Sequence, residues 1–165
     1  LPELICDTSP FQYLHQLGLL HILPALSQAV IIPPAVVDEL AAGRELGVDL
    51  PDPTGLAWIT IRRPVSAAAI PLITDLGPGE TEVLMLALEL SATVLVLDDA
   101  LARQVAHSLN LKLTGTLGIL LDAKRAGLID TVAPALDQLQ KLRFYLAPHT
   151  RTAVLKLAGE LPRTG

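Results

Sequence analysis

Two aspartates stand where short apolar runs stop: Asp7 after Leu4-Ile5-Cys6, and Asp98 after Thr93–Leu97. Such runs read as strands, and ligands of open parallel sheets bind beyond the carboxyl ends of the strands, where the strand order reverses. The two carboxylates would project toward one crevice if their strands are neighbours. Helix capping is the plainer alternative, because Asp also caps the helix that follows a strand. Ser9, directly before Pro10, is the better-placed cap for the first helix, and Asp99 can take that job beside Asp98. Two glutamates complete the set. Glu39 lies among Val36, Val37 and Leu40, where a solvated charge is less expected. Glu80 follows Gly77-Pro78-Gly79 in a first helical turn, where the helix dipole alone favours a carboxylate by roughly 0.3–1 kcal/mol. Glu82 competes with it two positions on.

Clustered carboxylates repel one another unless something positive sits among them. Oxygen-only ligands suit hard cations, and Mg²⁺ or Mn²⁺ binds through a few carboxylates plus water and substrate phosphate. Such a site polarises a phosphodiester, generates hydroxide and steadies the leaving oxygen. Other chemistries are poorly served. His15, His21, His107 and His149 form no i, i+4 pair, which weakens a histidine metal site. The single cysteine, Cys6, excludes a disulfide framework and a cysteine zinc site, and it reads as a small core residue. Asp7-Thr8-Ser9 lacks the second aspartate that a phosphatase loop with a nucleophilic aspartate needs. Gly115-Thr116-Leu117-Gly118 has neither the lysine nor the spacing of a phosphate loop.

The elements that must position these residues alternate along the chain. Strands are expected at Leu4–Cys6, Ala29–Ile32, Leu56–Ile61, Thr93–Leu97 and Leu111–Leu113. Helices are expected from Ser9-Pro10, from Pro33-Pro34 through Leu46, and over Glu80–Leu90, Ala100–Leu109 and Thr116–Ala126. Two more close the chain near Pro134–Leu142 and His149–Ala158. Gly43–Pro53 and Pro64–Pro71 read as loops within a domain. Short apolar strands separated by helices imply a parallel sheet covered on both faces, an open α/β fold.

Length and composition agree. The 165 residues suggest one domain, 1–165, with C-terminal helices from about 134. Hydrophobic residues make up 51%, charged residues 18%, and the mean hydropathy is +0.50, which excludes a disordered chain. Aromatics are only 3%, so base stacking has little to work with. Twelve basic against seventeen acidic side chains give −5, so any nucleic-acid contact must come from a metal or a local patch. The candidates are Arg62-Arg63, Arg103, Lys124-Arg125, and the C-terminal Lys141, Arg143, Arg151 and Lys156. Arg103 leads, one helical turn beyond Asp99. No apolar run reaches the roughly 18 residues of a membrane span, and the start of the chain does not read as a signal peptide. The expected location is the cytoplasm.

Four motifs in order resemble a known family. Cys6-Asp7-Thr8-Ser9, Val36-Val37-Asp38-Glu39-Leu40, Gly77-Pro78-Gly79-Glu80 and Leu97-Asp98-Asp99 look like the acidic motifs of the PIN domain. Gly77–Ile129, with Ala102-Arg103 and Gly115-Thr116-Leu117-Gly118, resembles a prokaryotic subfamily of nucleic-acid-binding PIN proteins. The resemblance implies a three-layer α/β/α sandwich with a central parallel sheet and a metal-dependent endoribonuclease. Asp7, Glu39, Glu80 and Asp98 would be its acidic quartet for Mg²⁺ or Mn²⁺. Asp99 would be an auxiliary ligand or a cap. Ser9 would hydrogen-bond within the site, and Arg103 would contact RNA phosphate. The third acid is Glu80 where the toxin branch usually has aspartate. The resemblance also suggests the toxin of a toxin–antitoxin pair, with an antitoxin protein and a second copy of the chain as partners. A catalytically silent binding or regulatory module is the alternative.

Overall fold

The computed structural model describes residues 1–65 and 75–161. The chain divides into two compact units, Leu1–Thr116 and Leu117–Gly165. The first holds a five-stranded, all-parallel sheet: β1 (Glu3–Cys6), β2 (Ala29–Ile32), β3 (Ile59–Ile61), β4 (Thr93–Val96) and β5 (Leu113–Thr114), in the order β3-β2-β1-β4-β5. Among the described residues its helices are α1 (Thr8–Gln16), α2 (Ile22–Ala25), α3 (Pro34–Glu45), α4 (Pro78–Glu89) and α5 (Ala100–Ser108). This is the expected α/β/α arrangement around a parallel sheet. The second unit contains the body of α6 (Thr116–Arg125), then α7 (Ala133–Lys141) and α8 (Pro148–Leu157).

Burial explains the strand order. The central strands are apolar on both faces, as a parallel sheet covered on both sides requires: Leu4, Ile5 and Cys6 of β1, Val30, Ile31 and Ile32 of β2, and Leu95 and Val96 of β4 are all buried. The edge strands are not. Thr60 and Ile61 of β3 are exposed, and both residues of β5 are half-exposed. Phe11 and Leu14 of α1, Leu40 of α3, and Leu84 and Leu86 of α4 complete the core of this unit.

Register sets the functional geometry. β1 pairs with β2 on one side (Leu4 with Val30) and with β4 on the other (Leu4 with Val94). The chain therefore winds outward from β1 in one direction, then restarts beside it at β4. That reversal places the carboxyl ends of β1 and β4 side by side, at the switch point where such sheets bind ligands.

Several elements differ from expectation. α1 begins at Thr8 with Asp7 in the N-cap position, while Ser9 lies exposed inside the first turn. Proline tolerates the first turn of a helix, so Pro10 fits there without Ser9 as the cap. Residues 43–45, expected both in the helix through Leu46 and in the Gly43–Pro53 loop, belong to α3, and Leu50 packs against Gly43, where a side chain would obstruct it. β3 starts three residues late, at Ile59, after a 3₁₀ turn over Pro53–Gly55 and a further turn at 57–58, and β5 starts two residues late. Of the expected Pro64–Pro71 loop, Pro64 and Val65 belong to no helix or strand, and residues 66–71 lie outside the described residues.

Candidate active site

β1 and β4 deliver the two aspartates. Asp7 follows β1, and its backbone N–H donates to Val96 O at 3.1 Å, which carries the β1–β4 ladder one residue past Cys6. The side chain is only 3% exposed. It occupies the N-cap position of α1 yet makes no side-chain capping bond, and its Oδ1 is buried without a hydrogen-bond partner. A buried carboxylate oxygen with no partner is costly. Burial accordingly pushes the Asp7 carboxyl up to about 7, and Glu80, Glu39 and Asp98 push in the same direction, against a backbone hydrogen bond from Thr8. The other three acids of the expected quartet thus bear on this one buried carboxyl.

Asp98 is held more tightly. Its Oδ1 accepts the backbone N–H of Thr116 at 2.8 Å, and its Oδ2 accepts the Thr116 hydroxyl at 2.6 Å. The aspartate therefore caps the first residue of α6. Burial still raises its carboxyl above the usual range, opposed by Thr116 and by the Arg103 guanidinium. Arg103 Nη1 donates to Leu97 O at 2.7 Å, beside Asp98. Tyr13, on α1, is also near: burial and the Asp98 charge push its phenol up.

The glutamates arrive on helices. Glu39, on α3, accepts the Gly79 N–H at 3.0 Å through Oε1 and the Thr8 hydroxyl through Oε2. Glu80 sits in the first turn of α4, half-buried. Glycines make room for three of these carboxylates. A Cβ on Gly79 would lie 2.7 Å from Glu39 Oε2, one on Gly77 2.5 Å from Glu80 Oε2, and one on Gly115 2.7 Å from Asp98 Oδ1. Any side chain there would collide with a carboxylate. These glycines are a matter of space rather than of backbone conformation.

The remaining candidates fall outside this cluster. Asp99 is exposed and caps α5, with Oδ2 accepting the Ala102 N–H at 2.9 Å, so the capping alternative describes it. Ser9 is exposed, and the site hydroxyls come instead from Thr8 and Thr116, which lie within two of the motifs but carry no expected role there. Glu82 accepts the Ala35 N–H and serves α3. Burial, with Asp7 and Asp98 adding to it, raises the Cys6 thiol and keeps it neutral, which suits a core residue.

The donor chemistry fits a hard dication. All the donors are carboxylate oxygens, one of them is buried without a partner, and their mutual repulsion is the kind a cation relieves. Among the described residues, no three His, Cys, Asp or Glu side chains already stand close enough to hold one ion together. Glu39 and Asp98 direct their oxygens to Thr8, Gly79 and Thr116 instead. Among the described residues, no helix is long and apolar enough to cross a membrane.

A family model for the PIN domain matches residues 3–160. No curated protein and no solved structure matches the chain.

Proposed function

The chain belongs to the PIN-domain family, and from that premise we propose that it is a Mg²⁺- or Mn²⁺-dependent endoribonuclease. PIN domains are generally nucleases and typically use divalent metals. The observation that carries the reading is the buried, unpartnered Oδ1 of Asp7 in the field of Glu80, Glu39 and Asp98, at the β1–β4 switch point. Asp7, Glu39, Glu80 and Asp98 would hold the ion. When bound, it would polarise the phosphodiester and lower the pKa of an attacking water.

The chain's own residues prepare that site. Thr8 and the Gly79 N–H orient Glu39, while both donors of Thr116 fix the Asp98 carboxylate. Gly77, Gly79 and Gly115 keep side chains out of the space the acids use. Arg103, a cation beside Asp98, is the group we assign to the RNA phosphate. Ser9, exposed on the first turn of α1, stands where it can meet substrate from solvent. In this reading the two units form one functional domain, placed in the cytoplasm. By family resemblance the protein is also a candidate toxin of a toxin–antitoxin pair, with an antitoxin and a second copy as partners.

A silent RNA-binding module is the second reading. It is favoured by the hydrogen bonds that already engage Glu39 and Asp98. Incubating the purified protein with a mixed-sequence RNA, with Mn²⁺, with Mg²⁺ and with chelator, separates the two. Cleavage that requires metal and is lost in Asp7→Asn supports the nuclease; uncleaved RNA with either metal removes it.

A further inference from the structure

The two units carry opposite charge. Residues 1–116 contain five Lys/Arg and thirteen Asp/Glu, a net −8, whereas residues 117–165 contain seven Lys/Arg and four Asp/Glu, a net +3. The acids of the candidate active site all lie in the first unit. In the second, Lys124 pairs with Glu160, Arg125 with Asp122, and Arg151 with Asp137. Lys141 and Arg143 are exposed and have no carboxylate partner among the described residues. Both lie where α7 ends and its connection to α8 begins.

That connection has a regular surface pattern. Lys141, Arg143 and Tyr145 are exposed, while Leu142 and Phe144 between them are half-buried and Leu146 is buried. The apolar members anchor the segment, and the other three stand in water. Tyr145 is 88% exposed, and the other four aromatic side chains are buried or half-buried. Arg143 adds a second oddity. Its φ is +66°, the left-handed conformation that usually falls to glycine after a helix, as it does at Gly127 after α6 and Gly159 after α8. An arginine there costs backbone energy that a glycine would avoid.

We propose that Lys141, Arg143 and Tyr145 form a holding site for single-stranded RNA, with the two cations on successive phosphates and a base stacked on the tyrosine ring. Cation pairs along a backbone and an exposed aromatic face are the two parts from which sequence-tolerant single-strand sites are made. The site deepens the ribonuclease reading and rests on it. It assigns substrate retention to the basic unit and leaves bond cleavage to the acidic one.

The test is binding of the full-length protein to a fluorescein-labelled 12-nucleotide oligouridylate. Anisotropy is measured in chelator, so that nothing is cut, over a range of KCl concentrations. Tyr145→Ala should weaken binding about 5- to 150-fold, the cost of losing one base–aromatic stack, while Tyr145→Phe should bind like the parent. Lys141→Gln and Arg143→Gln should each lower the slope of log affinity against log salt by about 0.7. If Tyr145→Ala and the two charge variants bind as tightly as the parent while metal-dependent cleavage persists, the holding site is wrong and the nuclease reading stands. If the parent neither binds nor cleaves RNA, the nuclease reading fails and takes the site with it. If Tyr145→Ala changes the oligomeric state in light scattering but not RNA affinity, the segment is a protein interface and the proposal is overturned.

Discussion

Glu39 and Glu82 cap each other's helices. Glu39 projects from α3 to accept the Gly79 N–H at the start of α4 at 3.0 Å, and Glu82 projects from α4 to accept the Ala35 N–H at the start of α3 at 2.9 Å. Each satisfies a donor that a helix leaves unpaired in its first turn. The pair locks the two glutamate-bearing helices together. Only Glu39 bears on Asp7, so similar bonds have different consequences.

Replacing Glu82 by Ala should lower stability by about 1 kcal/mol, the usual cost of a lost cap, and leave metal-dependent RNA cleavage intact. Glu39→Gln retains an acceptor for Gly79 and should cost less stability, but it should abolish cleavage. Chemical denaturation and cleavage assays on both variants check the contrast. Equal loss of activity in the two would mean that Glu39 acts only through the cap.

Asp7 gives a pH signature. Its folded-state carboxyl lies at about 7 against an ordinary value of 3.8, so between those values the folded state binds the proton more than the unfolded state does. Metal-free stability from this group is therefore fully present below pH 3.8 and is lost as pH rises toward 7. Every tenfold difference in proton affinity between the folded and unfolded states is worth about 1.4 kcal/mol. Asp7→Asn should be more stable than the parent at pH 8 in chelator, with the gap closing toward pH 4. A gap that does not vary with pH would place the Asp7 charge outside the buried cluster.

Metal should stabilise the folded parent, because a ligand that binds only the folded state raises Tm. Asp98→Asn should lose most of the rise in Tm given by Mn²⁺ or Mg²⁺. Thr116→Val, which removes one donor to Asp98, should destabilise by about 1–3 kcal/mol, and Thr116→Ser should restore the parent behaviour. If Asp98→Asn keeps the full metal response, Asp98 is only the cap of α6.

Gly79→Ala places a methyl 2.7 Å from Glu39 Oε2. The carboxylate must move, and a displacement near 1 Å costs roughly 100-fold in rate where positioning matters. Cleavage should fall by about that factor while circular dichroism stays unchanged. Parent-like cleavage by Gly79→Ala would show that Glu39 needs no fixed place.

The sequence discloses the acids but not their supports. Asp7 and Asp98 are legible because each ends an apolar strand, and a run such as Thr93–Leu97 marks its own burial. Thr8 and Thr116 escape because their partners, Glu39 and Asp98, are 31 and 18 residues away in the chain. No local pattern records such a bond. Ser9 is the expected cap by residue type, but the chain turns into helix already at Thr8. The four-residue α2 and the 3₁₀ turn at Pro53–Gly55 are too short to show a period. Asp99 is the opposite case: its capping role is visible in the sequence and is the one observed.

The strand order also governs when this site can exist. β1 precedes the other four strands in synthesis and is the middle strand of the sheet, with Leu4 paired to Val30 on one flank and to Val94 on the other. The first pairing closes a short loop, and the second must wait for β4. Contacts of such long sequence separation form late and slow folding, because the chain loses loop entropy before they repay it. Asp7 and Asp98 meet only when that second flank zips up. A nascent or half-folded chain therefore holds its acids apart, and the nuclease competence proposed for them would be a property of the finished sheet.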